Sequence, residues 1–175
     1  MGERVESGSF PVYLEPMATA HLLFGFLGSG KTTLARELEE RHRAIRFTPD
    51  EWMARLFGED PDVAIFKEKQ AIIFALLEPM WLRCLRLGVD VVLDYGFWSR
   101  AERDHVRELV ISSGSQVLLY NVECSAEEAW RRVSARNRQA HRSLYIAPAT
   151  FDLLKGRVEP LQSDESHLTA RSKGC

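Results

Sequence analysis

The sequence predicts an α/β domain built on a parallel sheet, and three observations carry that expectation. Short apolar runs alternate with longer amphipathic stretches along most of the 175 residues, the pattern of repeated strand–helix–strand units. One run, Val89 to Asp94, is β-branched and bounded by Gly88 and Gly96. It reads as a strand buried on both faces. A glycine-rich stretch, Gly25-Phe26-Leu27-Gly28-Ser29-Gly30-Lys31-Thr32, lies between an apolar run and a helical stripe. Crossovers in such a sheet are right-handed, and ligands bind beyond the carboxyl ends of its strands.

The elements follow in order. His21 to Gly25 is a short apolar strand. Thr32 to Arg41 is a helix, with Leu34 and Leu38 four apart. Ala44 to Phe47 is a weak strand, and Asp50 to Leu56 a short helix after Thr48-Pro49. Ala64 to Leu87 is long, apolar and helical, with Pro79 expected to kink or divide it. Ser99 to Ser112 is a helix whose Ser99 and Glu102 form a capping box. Gln116 to Val122 is a second buried strand. Ser125 to Arg136 is a helix with Ser125 and Glu128 as another capping box, and Pro148 to Glu159 is a closing helix. Residues 1–20 read as a flexible extension, 21–160 as the domain and 161–175 as a flexible polar tail.

Composition narrows the function classes. Hydrophobic residues make up 45% and charged residues 27%, an ordinary globular balance. A formal net charge of −2 gives no global attraction to nucleic acid or anionic membrane. The N-terminal stretch has no long apolar run, so neither a secretory signal nor a membrane anchor is expected. Cys84, Cys124 and Cys175 lie far apart, without metal-type spacing. That argues against a disulfide framework and a zinc site, and for a cytoplasmic protein. The five histidines are scattered and show no pairing as ligands.

Residues 25–32 fit G-x-x-x-x-G-K-[ST] at every fixed position, after a strand and opening a helix. The glycines let backbone N–H groups converge on an anion, and the helix start adds free donors and its dipole. Gly28, Ser29, Gly30, Lys31, Thr32 and Thr33 are the expected nucleotide contacts. Lys31 reaches the β- and γ-phosphates, and the Thr32 hydroxyl is placed for Mg²⁺. A Rossmann reading needs Gly or Ala where Thr33 stands, and fails.

The loop resembles the Walker A motif of P-loop NTPases. The stretch from about Leu22 to Glu159 resembles the small P-loop kinases with an AAA-type domain. Chloramphenicol phosphotransferase, the zeta-toxin kinases and polynucleotide 5′-kinase are similar in plan. The resemblance is carried by "FGFLGSGKTTLARELE", "RFTPDEWM", "GVDVVLDYGFWSRAERD" and "AEEAWRRVSARN". It implies a P-loop NTPase three-layer sandwich, with a parallel sheet of four or five strands in the order 2-3-1-4 and a short lid.

It also implies roles. Asp50 follows the second strand and would orient the acceptor as the catalytic base, with Glu51 as the fallback; capping the following helix is the competing use of Asp50. Asp94 ends a buried strand and would hold Mg²⁺ with Thr32. Arg100 and Arg103 share a helix face and would meet the acceptor or the moving phosphate; a solvated helix end is the alternative. Arg132 and Arg136 share another face and would clamp the triphosphate, Arg132 as a catalytic residue. Glu128 competes as the i,i+4 partner of Arg132. Residues 137–148 read as a lid that excludes water.

The expected function is an ATP- and Mg²⁺-dependent kinase that phosphorylates a hydroxyl of a small molecule. A polynucleotide or nucleotide-sugar kinase, or a nucleotide-binding module that phosphorylates nothing, are the rivals. Neither the acceptor nor the oligomeric state is legible in the sequence.

Overall fold

In the computed structural model, residues 17–58, 63–138 and 144–171 are described. The first strand, β1 (Thr19–Phe24), is buried at every residue after Thr19 and forms the middle of the sheet. It pairs in parallel with β3 (Val91–Gly96) on one side and β4 (Gln116–Glu123) on the other. The edges are β2 (Ile45–Phe47), parallel to β3, and β5 (Leu168–Arg171), parallel to β4. The order β2-β3-β1-β4-β5 contains the expected 2-3-1-4 and adds a fifth strand.

Period-two alternation along β1 sorts its side chains to opposite faces. Leu23 joins Ala35 and Leu38 of helix α1 (Lys31–His42), together with Ala44 and Val92. Ala20, Leu22 and Phe24 join a larger core on the other face. That core takes Ile73, Leu77 and Trp81 from α3 (Val63–Arg86) and Val106 and Val110 from α4 (Arg100–Ser112). The short α2 (Pro49–Phe57) precedes α3; α5 (Ala126–Asn137) and α6 (Pro148–Lys155) close the domain. Among the described residues no helix is long and apolar enough to cross a membrane.

Two expectations are corrected, and of a third, that Pro79 kinks or divides the long helix, the division does not occur: α3 runs through Pro79. The Ser99–Glu102 capping box is complete, but at Ser125 only half forms. Ser125 accepts from the Glu128 backbone N–H, while the Glu128 carboxylate turns to Arg131 and Arg132. Cys84 is free, whereas Cys124 is disulfide-bonded.

The segment after residue 160, expected to be a loose tail, is held as far as Arg171. Glu165 is 1% exposed and Arg103 is 0% exposed. The Arg103 Nε and Nη2 donate to the two Glu165 carboxylate oxygens at 2.6 and 2.9 Å. Arg103 Nη1 also donates to the carbonyls of Phe97, at 3.0 Å, and of Trp98 and Glu159, both at 3.3 Å. The guanidinium lies 5.1 Å from the Phe24 ring centroid. Arg100 adds a second clasp, donating to both carboxylate oxygens of Asp164 at 3.0 and 2.8 Å. These forks bring the chain to the β4 edge, where β5 adds its strand. Polar composition suggested fraying because the partners of Asp164 and Glu165 lie about sixty positions away. Residues 1–16 and 172–175 are outside the described residues.

Removing one partner of a buried ion pair strands the other, at a cost of about 3–5 kcal/mol. Glu165→Ala is expected to lose stability on that scale in urea denaturation. Arg103 holds the Glu165 carboxyl below the usual range. Its contribution is therefore complete above the unfolded-state pKa of about 4.3 and is lost as pH falls through the lower folded value. Wild type should lose stability over that acid window, and the variant should lose less there.

Candidate active site

Four strands end on one side of the sheet, and the chain beyond each supplies part of the site. After β1 comes the loop 25–30. Gly30 precedes α1 in a left-handed conformation, φ 104°. No side chain caps α1 and no acid lies in its first turn, so its positive end is uncompensated and open to an anion. Gly28 is required by contact as well as by conformation. With φ +74°, a Cβ there would stand 2.3 Å from the Ala129 carbonyl oxygen of α5. Ser29 is buried, and its Oγ has no hydrogen-bond partner. The Trp98 indole N–H donates to the Gly25 carbonyl at 3.1 Å, and the Phe26 ring packs between Trp98 and Phe151.

Lys31 crosses back over the loop and donates to the Phe26 carbonyl at 2.8 Å. Burial lowers its pKa, while Asp94 and Asp50 pull it up and Arg136 adds to the lowering. Asp94, at the end of β3, is 8% exposed. Burial raises its pKa; Lys31, a hydrogen bond with Thr32 and Arg46 oppose that. Thr32 and Asp94 thus already converge. Their hydroxyl and carboxylate oxygens are the hard donors Mg²⁺ takes.

Beyond β2, Asp50 and Glu51 diverge. Glu51 Oε1 accepts from both Nη1 and Nη2 of Arg46 at 3.1 Å, and Arg46 also donates to Glu39. Asp50 instead faces Lys31, Asp94 and Arg136. Desolvation is the largest influence on its carboxyl and raises its pKa; Lys31 opposes this, Asp94 adds to it and Arg136 opposes it. No side-chain cap bond forms at the start of α2, so helix capping does not account for Asp50.

The fourth part comes from α5, after β4. Arg132 donates through Nε to Glu128 at 2.7 Å and through Nη1 to the Gly28 carbonyl at 3.4 Å, which sets it against the loop. Arg131 and Arg132 together hold the Glu128 carboxyl down to about 2. Arg136, one turn on, has a buried Nε without a partner. Burial lowers its pKa, and Asp50 counteracts that. Residues 139–143 of the expected lid are outside the described residues. Its ends are pinned, with the Asn137 side chain exchanging hydrogen bonds with the Ile146 backbone at 2.7 and 3.3 Å.

Lys31, Thr32, Asp50, Asp94, Arg132 and Arg136 are therefore drawn together around the loop, with Gly28, Ser29 and Gly30 beneath and Thr33 exposed on the next helical position. Arg100 and Arg103 are not. Both are engaged by Asp164 and Glu165, and Arg103 has no surface for an acceptor to touch; this corrects their substrate-binding assignment. Phe97 is buried and stacks on Tyr95. A groove of about 610 Å³ opens beside the loop, lined by Phe26, Ser29, Asn121, Ser125, Lys155 and Arg171 among others. Asn121, Lys155 and Arg171 belong to no motif; the pairing of β4 with β5 brings Asn121 and Arg171 together, and the end of α6 adds Lys155.

A family model described as "AAA domain" matches residues 21–161. Three solved structures are similar in fold. A kinase candidate from Chloroflexus aurantiacus shares 19% identity, with 88% of each chain covered and a TM-score of 0.68. Chaetomium thermophilum Kti12, solved in complex with ADP-AlF3, shares 19% identity over 88% of this chain and 89% of that one, TM-score 0.66. A sugar kinase from Janibacter sp., solved unliganded, shares 21% over 89% and 85%, TM-score 0.61. No curated protein matches the chain.

Gly28→Ala should push α5 and Arg132 away from the loop. Nucleotide affinity is expected to fall about tenfold or more, equivalent to ~1.4 kcal/mol. Titration of a fluorescent ATP analogue measures it, and unchanged affinity would show that the Gly28–Ala129 contact is not needed.

Proposed function

The chain belongs to the AAA domain family, and on that premise we propose that it is an ATP-dependent phosphotransferase acting on a hydroxyl of a small-molecule acceptor. The observation that carries the proposal is that Asp50 and Arg136, from separate elements, both face Lys31 at the phosphate loop. A loop for binding alone needs the cation; it does not need a second carboxylate opposite it. The sugar kinase among the structural neighbours fits a small acceptor, and the ADP-AlF3 complex of another fits the nucleotide.

In this reading the backbone of Gly28 to Thr33 cradles the triphosphate. Lys31 leaves the Phe26 carbonyl to meet the β- and γ-phosphates. The nucleoside extends into the groove beside Ser29 and Lys155. Mg²⁺ held by Thr32 and Asp94 would neutralise charge on the β- and γ-phosphate oxygens. Arg136, with an unpaired buried Nε, turns its guanidinium to the phosphate charge, and Arg132 braces the loop and the same charge. Asp50 accepts a hydrogen bond from the acceptor hydroxyl, orients its oxygen toward the γ-phosphorus and takes its proton as the new O–P bond forms and ADP departs. Glu51, held by Arg46, does not serve as that base.

The test is an ATP-consumption screen across hydroxyl-bearing metabolites, antibiotics, nucleosides, nucleotide sugars and oligonucleotides, with Lys31→Ala as the blank. With the acceptor found, Asp50→Asn is expected to lower kcat about 100-fold or more. Activity needs Asp50 ionised. Desolvation by the surrounding residues raises its pKa although the residue is exposed, so the acid limb of kcat/KM should lie above the usual Asp value of about 3.9 and vanish in Asp50→Asn. Turnover driven by oligonucleotides would move the reading to a polynucleotide kinase. Slow turnover that no acceptor stimulates, with Asp50→Asn harmless, would replace it with a nucleotide-binding module.

A further inference from the structure

His21 is the odd residue in the buried central strand. Alternation along β1 sends it to the face packed by α1, beside Leu23, Ala35, Leu38 and Val92. It is 1% exposed, and its Nε2 has no hydrogen-bond partner. A buried polar atom left without a partner is destabilising, so its surroundings need an explanation. His42, the last residue of α1, brings its ring to 4.5 Å from the His21 ring, centroid to centroid. Asp90, just before β3, completes a group whose ligand atoms all lie within 4.8 Å of one another.

We propose that His21, His42 and Asp90 form a binding site for a divalent transition-metal ion of the Zn²⁺ class, separate from the phosphate loop. Two imidazoles and one carboxylate are a donor set for Zn²⁺ and its neighbours, not for Mg²⁺. Tetrahedral bonds of about 2.1 Å place ligand atoms about 3.4 Å apart, and His42, exposed at a helix end, has the freedom to close the gap. Outer contacts already orient the set. His21 Nδ1 lies 3.0 Å from the Tyr120 hydroxyl, so donation from Nδ1 to that oxygen leaves the partnerless Nε2 with a free lone pair. Asp90 Oδ1 accepts from the Thr19 backbone N–H at 2.8 Å, leaving Oδ2 for the metal.

The site lies at the far end of α1 from Lys31 and Thr32, about 16 Å along the helix axis at 1.5 Å per residue. Three protein ligands leave a position for water. A bound ion would tie the end of α1 to β1 and to the start of β3, the three elements beneath the phosphate loop.

The test uses the full chain without a histidine tag, stripped with EDTA and titrated with Zn²⁺ in excess Mg²⁺, with Co²⁺ absorption as a second reading. The expected result is one equivalent bound per chain, a Co²⁺ spectrum that Zn²⁺ abolishes, and a rise in Tm on Zn²⁺ addition. His42→Ala, at an exposed position, and Asp90→Asn should each weaken binding at least about tenfold, while Lys31→Ala leaves it unchanged. Absence of stoichiometric binding, or an affinity unchanged by either His42→Ala or Asp90→Asn, overturns the proposal.

Discussion

Lys31 is the charge around which the structure is arranged. A cation at the start of α1 opposes the helix dipole, and the fold answers by bringing Asp94 and Asp50 to it from the ends of two other strands. Each carboxylate is crowded enough to have its pKa raised. Lys31 restrains both, so the three groups hold one another in place. Arg136 adds a second cation. Two carboxylates and two cations balance one another, which leaves the uncapped start of α1 beneath them as the uncompensated positive charge.

The close packing of α5 on the loop follows from the same arrangement. Gly28 admits the Ala129 carbonyl where any side chain would collide. That approach sets Arg132 on the loop and carries Arg136 toward Asp50. Glu128 contributes by turning from its expected capping bond to hold Arg131 and Arg132. One glycine therefore serves both as part of an anion cradle and as the socket for the helix that brings the arginines.

Two uses of charge in this chain look alike in sequence and differ in space. Arg100 and Arg103 follow a strand ending in an acid, as acceptor-binding residues would. Their work is to fasten the segment at 159–165 to α4, so that β5 joins the sheet and Arg171 reaches the groove beside the loop. His21, His42 and Asp90 are the reverse case. They are separated by 21 and 48 positions and carry no spacing that signals a metal, yet a strand, a helix end and a strand start bring their donor atoms together.

The sequence by itself determined the parallel α/β framework and the phosphate loop, and it marked Lys31, Thr32, Asp50 and Asp94 as candidates by their places beside strand ends. Each of these is written locally, in a run of apolar residues, a glycine pattern or an acid just past a strand. It kept Glu51 as a fallback for Asp50, misread Arg103, and made a loose tail of a segment that ends in a strand. Only the tertiary structure decided these points. Arg46 claims Glu51, Glu165 claims Arg103 from 62 positions away, and β4 takes up β5. Which cation a carboxylate meets depends on how the sheet and helices pack, and no spacing along the chain encodes it.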